Sequence, residues 1–546
     1  MLPPIRTVIP ALPGIWSSAP SRDSNTLLFL SLCNLDFFIL LNRSRDFNMS
    51  GFAKSSGGKV EHPRQYNHSL STRRICFFGL ATTWLLGAAA VIVVATIPAS
   101  PSENTTTYGS FSLNVKAGYF TLLLPLILAI VVTFCNECMG FIHSTTLRWA
   151  LWREGRLKFN TNLRLLTYSN HSAPNAWFTN IICIFMAAIS YTAASNVILV
   201  RIRRGDERTP RVEFSLPAMA VLSLGLLSQA AIATWAAIAM KTDILTWSSN
   251  GLNATLVCQQ NGLQRLSGHS LWSYRRHGPN PTSSPQKPQH KQSSMGSSRP
   301  FAIWIVIMQW TIILPAFLWA GMASLFGVWD SAGFSGLHKG KLFEIYLNTC
   351  CLREEPDYAA VLLSITISLA AQLAFTFVLH CTELLVSVNR DEMTWRRAVF
   401  ENGKGANLDS SAIRDAFRSW ETITLFILKT AIHWAYGEAV QSRVTDGSGE
   451  ITMWANCLFI LAGLTVVVVL FGTLLCFKRP SGPQPTAYGH FQTQVDLIDD
   501  FGLNAPLFWG DKGHIRWEND GTEVRTAGTS TGIQRVGPIQ FDAVYT

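Results

Sequence analysis

Charge is what this chain has least of. Asp, Glu, Lys and Arg together make up only 14% of its 546 residues, against roughly 25% in soluble globular domains. So low a share excludes an ordinary soluble protein of this length. Strings that carry known chemistry are also missing: there is no glycine-rich phosphate loop, no GxSxG elbow, no HExxH helix and no kinase set. No soluble domain of any size is visible, which argues against a receptor or an enzyme with its chemistry outside a bilayer. A membrane-embedded enzyme ranks third among the functional classes, because no constellation supports it.

Cysteine is present but unorganised. Apart from the adjacent Cys350 and Cys351, the eleven cysteines are scattered singly, mostly inside apolar runs, and form neither a disulfide nor a zinc framework. Cys135 and Cys138 have redox-motif spacing, yet they close an apolar run with no α/β pattern around it. They read as packing residues, and His143 nearby completes no ligand set. No metal and no cofactor is expected. The formal net charge of +10 fits Lys and Arg held on the cytoplasmic side against anionic lipid. No basic helix with interleaved aromatics points to nucleic acid.

Long apolar runs are what the chain has instead. Hydrophobic residues reach 48%, and eight stretches have about the 20 residues needed to cross a 30 Å hydrocarbon layer. They are Ile75–Ile97, Tyr119–Ile142, Trp177–Val200, Phe214–Met240, Phe301–Gly327, Ala359–Val388, Trp420–Gly437 and Met453–Phe477. The seventh carries Lys429 and His433 in its middle, so a buried or re-entrant segment is its alternative. The expected fold is therefore an all-α polytopic transmembrane helix bundle in contact with a lipid bilayer.

Lys and Arg placement orients it. Arg73, Arg74, Arg148, Arg153, Arg390, Arg396, Arg397, Lys478 and Arg479 put both termini in the cytoplasm, and only Arg201–Arg211 dissents. A glycosylation sequon at Asn104 falls in an expected outer loop. Residues 1–72 read as a disordered N-terminal region. Within it 1–48 fit poorly with the rest, because Leu27–Leu41 is too short to span and contains Asp36; Met49 is the expected start of translation. A first membrane half (73–266) is followed by a disordered cytoplasmic linker (267–300), rich in Ser, Pro, Gln and His. A second half (301–478) leads into a cytoplasmic C-terminal tail (479–546), whose aromatic FGLNAPLFWGDKGHIRWE stretch can pack against the membrane domain.

Ionisable groups inside spans are costly and so are functional candidates by default. Glu137 and Glu383 occupy matching positions in the second and sixth spans, with His380 one turn before Glu383 on the same face. Lys429 and His433 share a face of the seventh span, which would let Lys429 pair with either glutamate. In both long spans a Cys lies two residues before the Glu and a Trp twelve after it: Cys135, Glu137, Trp149 and Cys381, Glu383, Trp395. The pattern recurs 246 residues on, as in a parallel internal repeat.

Several longer strings carry a resemblance: HSTTLRWALWREGRLKFNTNLRLL (143–166), DILTWSSNGLNATL (243–256), LHCTELLVSVNRDEMTWRRA (379–398), and GPQPTAYGHFQTQVDLIDDF with LFWGDKG (482–513). Together they resemble a family of multi-pass membrane proteins of filamentous fungi, from about the first span to the C-terminus. WSSNG departs from it, since a Pro is expected after the Asn. The resemblance implies several helices and supplies no activity or catalytic residue. Two functional classes follow. One is a transporter- or channel-like protein for a small molecule or ion, with Glu137, His380, Glu383, Lys429 and His433 lining a polar path. The other is a membrane scaffold or accessory subunit, in which those residues pair helices and the cytoplasmic loops and tail bind a protein partner.

Overall fold

The chain divides into Met1–Pro63 and Arg64–Thr546, and everything described below belongs to the second unit. The computed structural model describes residues 66–97, 110–113, 120–162, 164, 166–202, 210–274, 285–330, 340–347, 358–408, 417–445, 448–502, 505–516 and 523–546. Residues 1–48 and the Asn104 sequon lie outside these.

In chain order, α1 (Leu70–Thr96), β1 (Ser110–Leu113), α2 (Phe120–Arg153) and α3 (Trp177–Val197) lead into the hairpin β2 (Ile198–Ile202) and β3 (Pro210–Ser215), then α4 (Leu216–Ala239). The short helices α5 (Gly251–Gln260) and α6 (Met295–Ser298) connect to the second half. There α7 (Pro300–Phe326), β4 (Val328–Asp330), β5 (Gly340–Leu347), α8 (Tyr358–Arg396) and α9 (Trp420–Ala439) precede the hairpin β6 (Val440–Thr445) and β7 (Ser448–Trp454), then α10 (Ala455–Phe477). Helix α11 (Phe491–Leu497) and the hairpin β8 (Phe508–Arg516) and β9 (Glu523–Ser530) complete the described elements.

Local chemistry explains several boundaries. Ser215 caps α4 by accepting from the Ala218 N–H, with Pro217 in the first turn where its missing donor costs nothing. Ser419 caps α9 in the same way through Thr422. The β-branched run after Asn196 leaves the helix and pairs as β2 with β3, so the third span ends at Val197 and not at Val200.

The fold is mostly helical, but it is not all-α as expected. Three antiparallel sheets occur among the described residues: β1-β3-β2, β4-β5-β7-β6 and β8-β9. The first two gather the strands that join consecutive helices, which puts all of those strands at one end of the bundle. The opposite end carries the longer connections and the C-terminal elements. We call these the strand end and the loop end.

Among the described residues seven helices, α1, α2, α3, α4, α7, α8 and α10, are long and apolar enough to cross a membrane. Large apolar side chains on them face outward: Leu85 of α1 is 71% exposed, Leu314 of α7 66% and Leu474 of α10 70%. Apolar surface on this scale is where a bilayer makes contact. Helix α9, the eighth expected span, has 20 residues but carries Glu421, Lys429, His433 and Glu438, all buried, and falls outside that set.

The two halves repeat one arrangement. The strand before the long second helix pairs with the second strand of the later hairpin, β1 with β3 and β5 with β7. Helix α1 packs on α4 as α7 packs on α10. Across the interface α3 meets α8, α2 meets α9, and α3 meets α9, the reciprocal contacts of a two-fold relation. Matching anchors sit at the loop end. Trp149 of α2 donates its indole N–H to the Thr246 carbonyl at 2.8 Å, and Trp395 of α8 donates to the Pro485 carbonyl at 3.0 Å.

Over its described part, the expected disordered linker is folded. Gln292 donates to the Gly482 carbonyl, Ser293 shares a hydrogen bond with Thr486, and Lys291 and Gln286 form β-bridges to Ser481 and Tyr545. Short polar side chains here satisfy neighbouring backbone, so the segment is ordered without any apolar periodicity. The tail packs as well: Trp509 meets Trp395 edge-on at 6.4 Å, within a core that includes Leu408, Leu497, Ala527 and Tyr545.

Candidate functional site

The polar groups of the bundle converge where the halves meet. Lys429 on α9 is 3% exposed and donates to Glu383 on α8 at 2.8 Å and to Glu137 on α2. Burying an ammonium costs several kcal/mol, and two carboxylates from two other helices offset it here. His380 lies 3.2 Å from the same Glu383 oxygen, one turn back on α8. Four of the five residues singled out from sequence thus form one cluster.

His433, one turn beyond Lys429 on α9, points elsewhere. Its Nδ1 accepts from the Gln372 amide at 3.2 Å, and its ring stacks on Tyr191 of α3. Gly437, a further turn on, lets the helices approach: a Cβ there would lie 3.0 Å from the Ser195 Cβ.

Glu137, His380, Glu383 and Lys429 line a cavity of about 400 Å³, within the size range of small-ligand sites. The side chains of Glu137 and Glu383 are 33% and 36% exposed. From this floor the cavity extends toward the loop end, past Asn136, Thr145, Arg148, Asn160, Arg164 and Arg390. On the strand side of the Tyr191–His433 stack lies a separate void of about 20 Å³, lined by Ser195, Gly437 and Gln441 among others. That is room for about one water molecule.

Several residues of the site escaped the sequence reading. Asn136 donates to Ser190 and accepts from Gln229, tying α2, α3 and α4 together beside Glu137. Along α8 the polar residues Ser364, Ser368, Gln372, Thr376 and His380 recur every fourth position: Ser368 bonds Ser442 of β6 and its carbonyl accepts from Tyr436 of α9, and Gln372 bonds His433 of α9. That four-residue spacing inside an apolar run was the available signal. Outside the cavity, Glu154 holds the loop after α2. It accepts from Ser169 and from the Asn170 and His171 N–H groups, and pairs with Arg156 at 2.8 Å. Burial pushes its pKa up, but these bonds more than offset that and hold it at about 2.

No metal-ligating group of three or more His, Cys, Asp or Glu occurs among the described residues. Cys135 and Cys138 are free and buried, as packing residues are. No family model matches the chain, and no curated protein or solved structure shows a significant similarity to it.

Proposed function

We propose that the protein is a transporter-like membrane protein in which eight helices, α9 included, cross the bilayer with the loop end in the cytoplasm. A small solute or ion enters the cavity from that end and reaches the Glu137–Lys429–Glu383 cluster at its floor. Passage to the strand end is closed by the Tyr191–His433 stack. The kinship with the filamentous-fungal family belongs to the same reading and adds no activity to it.

One observation carries this reading. A buried lysine bridges two half-accessible glutamates at the floor of a ligand-sized cavity, on the interface between two repeated halves. Repeat interfaces near mid-membrane are where secondary transporters hold substrate and coupling ions. Residues that served only to glue helices would have no need of such a cavity.

The test is side-specific thiol labelling. Single cysteines replace Glu137 or Glu383 in a background without native cysteines, and a membrane-impermeant reagent is applied to each face of sealed vesicles. Labelling of both from the loop face alone is expected. Protection from both faces would leave interhelical pairing, and a scaffold whose loops and tail bind a partner protein.

A further inference from the structure

The charges along the cavity are unevenly distributed. At the floor, Lys429 engages both carboxylates. Toward the mouth the lining carries Arg148, Arg164 and Arg390, and none of the three forms an ion pair among the described residues. Asp391, which accepts from Asn160 at 2.9 Å and Thr161 at 3.1 Å, interacts electrostatically with Arg148 and Arg390, and its single negative charge offsets only part of the three positive ones.

Arg148 is the most telling of them. It is 7% exposed; one terminal nitrogen donates to the Ser248 carbonyl at 3.0 Å, while its Nε has no partner. Thr145, one turn back on the same face of α2, has an unpartnered buried hydroxyl and lines the same cavity. Arg164 lies over Gly140, its guanidinium 3.5 Å from His143 Nδ1. The other ring nitrogen of His143 reaches the Pro174 carbonyl at 3.1 Å, so the proton sits on Nε2 and the ring is neutral. His143 therefore orients Arg164 without adding charge. Buried guanidinium donors left unpartnered are costly, and planar oxyanions are the groups that satisfy them best.

We infer that Arg148, Arg164 and Arg390, with Thr145, form an oxyanion subsite at the cavity mouth, for the carboxylate or phosphate group of the transported solute or of a lipid headgroup. The inference rests on the cavity reading proposed above and names the chemical class that the cavity accepts.

The test uses the purified full chain in phosphatidylcholine nanodiscs, with radiolabelled orthophosphate and succinate as probes. Saturable binding of either is expected, weakened about tenfold or more in Arg390→Gln, as loss of one charge-assisted partner implies. Arg390 makes no side-chain hydrogen bond among the described residues, so this variant does not depend on the fate of the Arg148 fold contact. Arg153→Gln, which removes an exposed arginine paired with Asp243 outside the cavity, leaves binding unchanged. A second arm adds phosphatidic acid. Its retention by the wild type and loss in Arg390→Gln, without binding of the soluble probes, would assign the subsite to a headgroup. No binding in either arm, or binding insensitive to Arg390→Gln, overturns the inference. Thiol labelling of Asn162→Cys separates the two ideas: labelling from the loop face without anion binding sinks only the subsite, and no labelling sinks the cavity reading too.

Discussion

Tyr191 and His433 lie face to face where α3 crosses α9, their ring centroids 3.5 Å apart and their planes 6° from parallel. Both rings line the small void toward the strand end, and His433 lies one turn of α9 beyond Lys429, which lines the larger cavity. In the proposed function the rings close the path between the two spaces, and replacing both with alanine opens it. We predict that Tyr191→Ala with His433→Ala makes sealed vesicles leaky to small ions, as read by membrane-potential dyes, and that the wild type is tight.

Lys429 has two partners, so the carboxylates are partly redundant while the lysine is not. Glu137→Gln or Glu383→Gln alone leaves one ion pair and a mild loss of stability. The double variant strands a buried ammonium and loses about 3–5 kcal/mol. Adding Lys429→Met restores most of that loss, because an apolar isostere needs no partner. Thermal unfolding of the four proteins decides it, and additive losses with no rescue would refute the pairing argument.

Trp149 and Trp395 hold equivalent places in the two halves, and each gives its indole N–H to a loop carbonyl. Trp→Phe at either leaves that carbonyl unpaired in a fully buried setting, at a cost of about 1–3 kcal/mol. Equal shifts in melting temperature are expected. A neutral effect at one site would show that the halves are not held alike.

Glu154 gives a pH dependence with a definite sign. Its folded pKa of about 2 lies below the unfolded 4.5. Its contribution is therefore complete above pH 4.5 and is lost as the pH falls through about 2. Wild-type melting temperature should drop more between pH 5 and 2.5 than that of Glu154→Gln, which lacks this component. Parallel curves would contradict the assignment.

The charged floor of the site was legible in the sequence because Glu137, Glu383 and Lys429 interrupt apolar runs. Pairing of Lys429 with one or other glutamate was open to the sequence, but contact with both at once was not: Lys429 and Glu137 are 292 residues apart, and only packing of the halves sets their contact. Tyr191, Asn136 and Gln229 carry no charge and are unexceptional in a span, so nothing marked them. The strand end was missed for a related reason: Ile198–Val200 is as apolar as the helix before it, and hydropathy alone cannot separate helix from strand. The polar run after Ser267 read as a linker because its described residues are held by polar hydrogen bonds, such as Gln292 to the Gly482 carbonyl and Ser293 to Thr486, and by no apolar periodicity.

In the proposed function the cavity is wet from one end and closed at the other by two stacked rings. The most direct measurement is the rate at which a cysteine at Lys429 reacts with an impermeant thiol reagent from each face, with and without the Tyr191 and His433 rings. Reaction is expected from the loop face alone when the rings are present, and from both faces when they are gone. A folded Lys429→Cys protein that reacts from neither face, or whose strand-face rate ignores removal of the rings, would contradict it.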